Sequence, residues 1–252
     1  MLEIQNLFAG YNGVPILKDV SACFEKGEIT FIIGINGSGK STLLRALLGI
    51  IPLMSGKVLI DGISSNELSA RDIARRVAYL AQEKNVPDMT VMQMVLHGRF
   101  PHLNYFGRYS QADKEIARLA IERVGLSELS GAPLSHLSGG MRQNAYLAMA
   151  LAQSTDYILL DEPTTYLDIS HQLDLMRLIS SVSKRGKGIV TVMHDLPLAF
   201  DFSDKIILVD SGEIIAADQP HVISKMPVIR KKFGAEIYYD EKNGHYTRRY
   251  SK

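Results

Sequence analysis

The sequence predicts an α/β fold with a mainly parallel sheet, an N-terminal antiparallel β subdomain and an inserted α-helical subdomain. Three observations carry that expectation. Short β-branched apolar runs alternate with helical spacing, as in parallel strands joined by crossover helices. Strand-like segments joined by tight-turn pairs precede that alternation, and a long stretch with helical spacing alone interrupts it.

In chain order, Leu2–Phe8, Ser21–Phe24 and Lys57–Asp61 form the antiparallel patch, with turns at Asn12-Gly13 and Lys26-Gly27. Ile29–Ile33, Tyr157–Leu160 and Ile189–Met193 are continuous apolar runs, the pattern of strands buried on both faces. Each leads at once into a candidate site residue, at the strand end where open α/β sheets bind ligands. Between Asn85 and Gln153 the strand signal vanishes. Helices are expected over Thr90–Leu96 and over Ala112–Val124, where Ile116, Leu119, Ala120 and Val124 form a stripe. Alternation resumes until about Ala217. The chain therefore divides as one domain, 1–252: a core of 1–84 and 154–220, a helical subdomain of 85–153, and a C-terminal appendage of 221–252. That last stretch carries eight Lys or Arg against three Asp or Glu. It reads as a solvated basic tail, with an appendage that touches a partner as the alternative.

Composition bounds the function. A net charge of +1 over 252 residues offers no long-range attraction for nucleic acid, so no nucleic-acid partner is expected. Cys23 is the only cysteine, which fits a reducing compartment. The opening residues lack a basic start before an apolar stretch, so no secretory signal is expected. Arg45, Gly49 and Pro52 break the apolar region Leu43–Met54 far short of a membrane span.

The chemistry starts at Gly34-Ile35-Asn36-Gly37-Ser38-Gly39-Lys40-Ser41-Thr42, between a buried strand and a helical pattern over Ser41–Leu48. It fits G-x-x-x-x-G-K-[ST], a loop whose glycines turn backbone N–H groups inward around phosphate oxygens. The helix start adds a dipole that favours anions. Lys40 would neutralise the β- and γ-phosphates of ATP, and the Ser41 hydroxyl would bind Mg²⁺. Asp161 and Glu162 stand at the end of the buried run Tyr157–Leu160. Asp161 can hold the Mg²⁺ shell, and Glu162 can orient and deprotonate an attacking water.

Leu137-Ser138-Gly139-Gly140-Met141-Arg142-Gln143, 24 residues before Asp161, completes a set that resembles the nucleotide-binding subunits of ABC transporters. The resemblance implies a P-loop NTPase (RecA-like) core and ATP hydrolysis. Ser138 as an N-cap, with Gly139 and Gly140, leaves N–H groups pointing at an anion. In the family this second helix start serves the nucleotide of a partner subunit, which implies a head-to-tail dimer with a second copy of the chain. The remaining implied roles fall in order. Tyr11 stacks on adenine; Gln82 contacts Mg²⁺ and water; Asp168, in Tyr166-Leu167-Asp168, crosses the dimer interface; His194 contacts the γ-phosphate.

Gly98-Arg99-Phe100-Pro101, Asp161–Ile169, His171-Gln172 and His194-Asp195-Leu196 look like the ATPases of iron-siderophore, haem and cobalamin importers. The implied partners are integral membrane permease subunits and, indirectly, a substrate-binding protein. The implied place is the cytoplasmic face of the cell membrane, held peripherally through the permease. The alternatives are another cargo, such as a metal ion or molybdate, a non-transport ABC ATPase, and a P-loop small-molecule kinase. Three positions depart from the family pattern: Ile35, where Pro is frequent, and Asn144 and Met149, where basic residues are frequent. The last two are expected to alter packing rather than hydrolysis.

Overall fold

In the computed structural model, which describes residues 1–82, 86–103 and 107–250, hydrophobic patterning sorts the chain into three sheets and two apolar cores. The antiparallel sheet comes first. β1 (Leu2–Tyr11) and β2 (Val14–Phe24) meet at the Asn12-Gly13 turn, where Asn12 and Gly13 both take positive φ, 52° and 79°. β2 is longer than its apolar end, Ser21–Phe24, predicts. Its first half is mostly exposed and held by the hairpin register rather than by burial.

β3 (Ile29–Ile33), fully buried, leads through the glycine loop into α1 (Lys40–Leu47). β4 (Leu53–Ile60) and β5 (Ile63–Ser64) complete the first sheet, in the order β2-β1-β4-β5. Next come α2 (Ala70–Ala74) and β6 (Val77–Leu80). Three helices follow: α3 (Val91–His97), α4 (Gln111–Arg123) and α5 (Gly139–Ala152). The expected boundary between core and helical subdomain, 84/85, lies outside the described residues, as does the C-terminal limit at 252.

β7 (Tyr157–Asp161), α6 (Ile169–Ser183), β8 (Gly188–Val192), α7 (Leu196–Phe202), β9 (Lys205–Asp210) and β10 (Glu213–Asp218) return the chain to the main sheet. Its order is β10-β9-β3-β8-β7-β6, parallel except for β10. Period-two alternation splits the central strands between two cores. Ile32, Leu159, Val190 and Ile207 face α1 and the antiparallel sheet; Phe31, Leu160, Ile189 and Leu208 face the helices. β3, β7 and β8 therefore end at one edge, which is where the site residues collect.

Two expectations need correction. The buried stripe of α4 is Ala117, Ala120, Ile121 and Val124, whereas Leu119 is 50% exposed and Ile116 only partly covered. The i, i+3, i+4, i+7 set that fits the helix period best is one that starts at an alanine. The stretch 221–250, the described part of 221–252, is also no solvated tail. It forms α8 (Pro220–Ile223), α9 (Pro227–Phe233) and the hairpin β11 (Ala235–Asp240)–β12 (His245–Tyr250). Ile223, Ile229 and Ile237 join the core. Lys232 pairs with Asp210 at 2.6 Å and Arg230 with Glu236 at 3.0 Å. A net count of charge hid an apolar pattern beneath a basic surface.

Four residues singled out in the helical subdomain have packing or bonding roles. A Cβ at Gly98 would overlap the Met149 carbonyl, so α3 can approach α5 only with glycine there. Arg99, buried, donates to Asp113 at 2.9 Å, to the Ala152 carbonyl at 2.8 Å and to Ser154 Oγ at 3.1 Å. Asn144 donates to the Val124 carbonyl at the end of α4, and Met149 packs against the core. Among the described residues, no helix is long and apolar enough to cross a membrane.

Candidate functional site

The loop after β3 is shaped by backbone that side chains would obstruct. A Cβ at Gly34 would overlap the Val209 carbonyl and come within 2.6 Å of Ser38 Oγ. Gly37 and Gly39 lie at φ 78° and 109°, the left-handed region in which glycine is least strained. Gly39 is the N-cap of α1 and supplies no side-chain cap, so the first N–H groups of the helix stay open to a ligand. Ser38 Oγ is buried without a hydrogen-bond partner, a polar atom that an anion seated in the loop would satisfy. Lys40, only 6% exposed, donates from Nζ to the carbonyls of Gly34 at 2.9 Å and Ile35 at 3.0 Å. Burial lowers its pKa, while Glu162 and Asp161 pull it back up. An anion in the loop adds to the second effect and holds the ammonium charged.

Asp161 ends β7 with both carboxylate oxygens engaged. Oδ1 accepts from Ser41 Oγ at 3.0 Å and Oδ2 from the Tyr79 hydroxyl at 3.2 Å. Burial and the Asp161 charge push the Tyr79 phenol up to about 12, so it stays a donor. Ser41 and Asp161 together offer two hard oxygen ligands beside the phosphate loop. Such a pair could serve as the protein share of an Mg²⁺ site whose other ligands are phosphate and water.

Glu162 sits at φ 52°, a strained position for a residue with a Cβ. Its Oε1 lies 2.5 Å from His194 Nε2, and its Oε2 accepts from Gln82 Nε2 at 3.0 Å and Thr165 Oγ1 at 3.1 Å. Three groups from three segments fix one carboxylate. A 510 Å³ cavity opens between them, lined by Ile16, Asn36, Gly37, Gly39, Lys40, Ser41, Thr42, Gln82, Glu162 and His194. Gly34, Ser38 and Asp161 underlie that surface.

The remaining candidates stand elsewhere. Tyr11 is 38% exposed beside the hairpin turn, and its hydroxyl accepts from Arg45 at 3.2 Å. The residue of that hairpin that reaches the cavity is Ile16, which sequence reasoning missed because an isolated half-exposed apolar residue has no motif. Tyr79 and Thr165 were missed as well. A tyrosine in a buried strand needs a partner for its hydroxyl, which is the one signal the sequence held for Tyr79.

Ser138, Gly139 and Gly140 open α5 away from the cavity. Ser138 Oγ accepts from the Met141 N–H at 3.3 Å. A Cβ at Gly140 would overlap the His171 ring, whereas one at Gly139 would meet open space. Asp168 caps α6, accepting from the His171 N–H at 2.9 Å and meeting ring Nδ1 at 2.8 Å. The His171 N–H, then its ring, hold the Asp168 carboxyl below its usual range. The signature turn and the Asp168 cap thus form a second cluster, bridged by His171.

Comparison with known proteins agrees with this geometry. Residues 17–165 match the family described as ABC transporter. The chain is 39% identical over 243 residues to the iron(3+)-hydroxamate import ATP-binding protein FhuC of Bacillus subtilis, covering 95% of this chain and 90% of that one. It is 38% identical to the ferric enterobactin transport ATP-binding protein FepC of Escherichia coli, covering 92% and 87%. Among solved structures, an ABC transporter in an inward-facing conformation superposes with a TM-score of 0.84 at 25% identity, covering 98% of this chain and 96% of that one. The cassette MJ0796, solved as a dimer in a post-hydrolysis state with ADP and Pi, superposes with a TM-score of 0.74 at 27% identity, covering 87% and 99%.

Proposed function

The chain belongs to the ABC-transporter ATP-binding family, the ATP-hydrolysing components of transport systems, and from that premise we propose that it powers an importer of metal chelates. The cargo class is of iron-siderophore, haem or cobalamin type. The relatives support it: their names include iron-hydroxamate, enterobactin and cobalamin import. The working unit is a head-to-tail pair of this chain beneath integral membrane permease subunits, at the cytoplasmic face, fed by a substrate-binding protein.

The observation that carries the mechanism is that, among the described residues, two helices open on glycines but only one of them stands beside a buried lysine, Lys40, and a candidate base, Glu162. Each phosphate loop is then completed by Ser138–Gly140 of a second copy. Lys40 turns from the Gly34 and Ile35 carbonyls to the phosphates, and Asn36 to Thr42 wrap them. Ser41, Asp161 and Gln82 would hold Mg²⁺, which supplies positive charge to the phosphate oxygens. Glu162 takes a proton from water, oriented by His194, Gln82 and Thr165. Positioning and electrostatics contribute most of the acceleration. Tyr11, outside the cavity lining, supports adenine together with Ile16, which lines the cavity.

The test is reconstitution with the permease in vesicles, followed by ATP turnover with loaded binding proteins. Several-fold stimulation by an iron-chelate-loaded protein is expected. Stimulation only by a metal-ion- or molybdate-loaded protein would overturn the cargo class, and turnover indifferent to any permease would overturn transport.

A further inference from the structure

The Glu162–His194 pair borders two cavities. A second cavity, of 310 Å³, is lined by Glu162, Thr164, Tyr166, His194 and Asp195, and by one residue from the far end of the chain, Arg248. Glu162 and His194 line both this cavity and the phosphate-loop cavity.

The C-terminal hairpin is fastened so that Arg248 is delivered there. The Tyr246 N–H donates to Asp201 at 2.5 Å, and the Tyr246 ring meets Phe200 at 5.4 Å. Asp201 and Phe200 belong to α7, the helix that Asp195 caps directly after His194. One helix therefore carries the site histidine at its entrance and the hairpin on its flank. Two residues along β12, Arg248 shares the face of Tyr246, since side chains alternate with period two. A strand advances about 6–7 Å over two residues and a helix about 9 Å over six, so β12 runs back along α7 toward its entrance. Arg249, on the opposite face, instead lies over the Tyr238 ring at 5.3 Å.

We propose that Arg248 is a positioning residue for ATP hydrolysis: the C-terminal hairpin, docked on α7, sets the placement of His194 and Glu162. This rests on the hydrolytic reading of Glu162. The guanidinium acts through its place beside the His194-Asp195 turn and the Thr164–Tyr166 segment.

The experiment compares Arg248→Ala, Arg248→Lys and Arg249→Ala in the permease complex, with Glu162→Gln as the inactive reference. Arg248→Ala is expected to lower kcat for ATP about tenfold, the effect of a misplaced base rather than a missing one. KM for ATP and the melting temperature should stay near wild type, Arg248→Lys should recover part of kcat, and Arg249→Ala should leave kcat within twofold. Equal kcat values for Arg248→Ala and Arg249→Ala would overturn the proposal. So would a loss in Arg248→Ala that falls on KM as much as on kcat, or one that Arg248→Lys does not relieve at all. Wild-type turnover in Glu162→Gln would instead overturn the hydrolytic reading itself.

Discussion

The starts of α1 and α5 are built from the same materials and finished differently. Ser38 and Gly39 precede α1, whereas Ser138 precedes α5 and Gly139 and Gly140 are its first residues; both present N–H groups at a helix terminus. At α1, Ser38 is buried and unpartnered, Gly39 gives no cap, and Lys40, Asp161, Glu162 and His194 converge within reach. At α5, Ser138 caps its own helix, and Asp168 and His171 brace the turn from behind. The difference teaches that one helix start is surrounded by convergent charged side chains of its own chain, whereas the other is braced from behind and lies outside that cluster. On the proposed reading, the first is tested in an isolated chain and the second in a pair.

Four measurements break or sharpen that contrast. The largest effect is Glu162→Gln, expected to cut hydrolysis by about 10²–10⁴-fold while ATP binding persists. Loss of binding of the same size would make Glu162 part of the phosphate site. Next is Arg99→Ala, which strips α5 of its anchor and leaves Asp113 without its cation. Breaking so buried a pair costs about 3 kcal/mol by chemical denaturation, with ATP affinity of the folded chain unchanged. Ser110 and then Arg99 hold the Asp113 carboxyl at about 2. Its stabilisation is therefore present above its unfolded range near pH 4 and is lost as pH falls through about 2. The gap between wild type and variant should accordingly narrow over that interval.

Third is Gly139→Asp. The position is open, and a carboxylate at a helix N-terminus stabilises that helix by about 0.3–1 kcal/mol. The variant should fold and bind ATP as an isolated chain, yet lose about tenfold in hydrolysis once paired, because its charge faces phosphate. A matching loss of affinity in the isolated chain would erase the distinction between the two starts. The smallest effects belong to Asn144→Arg and Met149→Arg, expected to keep turnover within about twofold because both residues serve packing. Large gains in turnover would place them at the interface.

Legibility followed the range of the interactions. β3, β7 and β8 were readable because a run buried on both faces is a local pattern. The phosphate loop was readable because φ and charge demand particular residues at fixed spacing. The first half of β2 was not, since its pairing with β1 rather than its own side chains makes it a strand. Arg99 was visible only as part of a string; its bonds to Asp113, Ala152 and Ser154 span up to 55 positions. The C-terminal stretch was misjudged for a related reason. Its charge was counted over residues whose apolar neighbours, Ile229 and Ile237, pack against elements far away in sequence.

The left-handed backbone at Glu162 sets stability and activity against each other. A residue with a Cβ there costs on the order of 1–2 kcal/mol that glycine would not. Variants that relax this position gain melting temperature as they lose their base. On the proposed role of Glu162, a thermal screen of random substitutions would thus enrich inactive variants at residue 162, and only selection for ATP turnover would keep the glutamate.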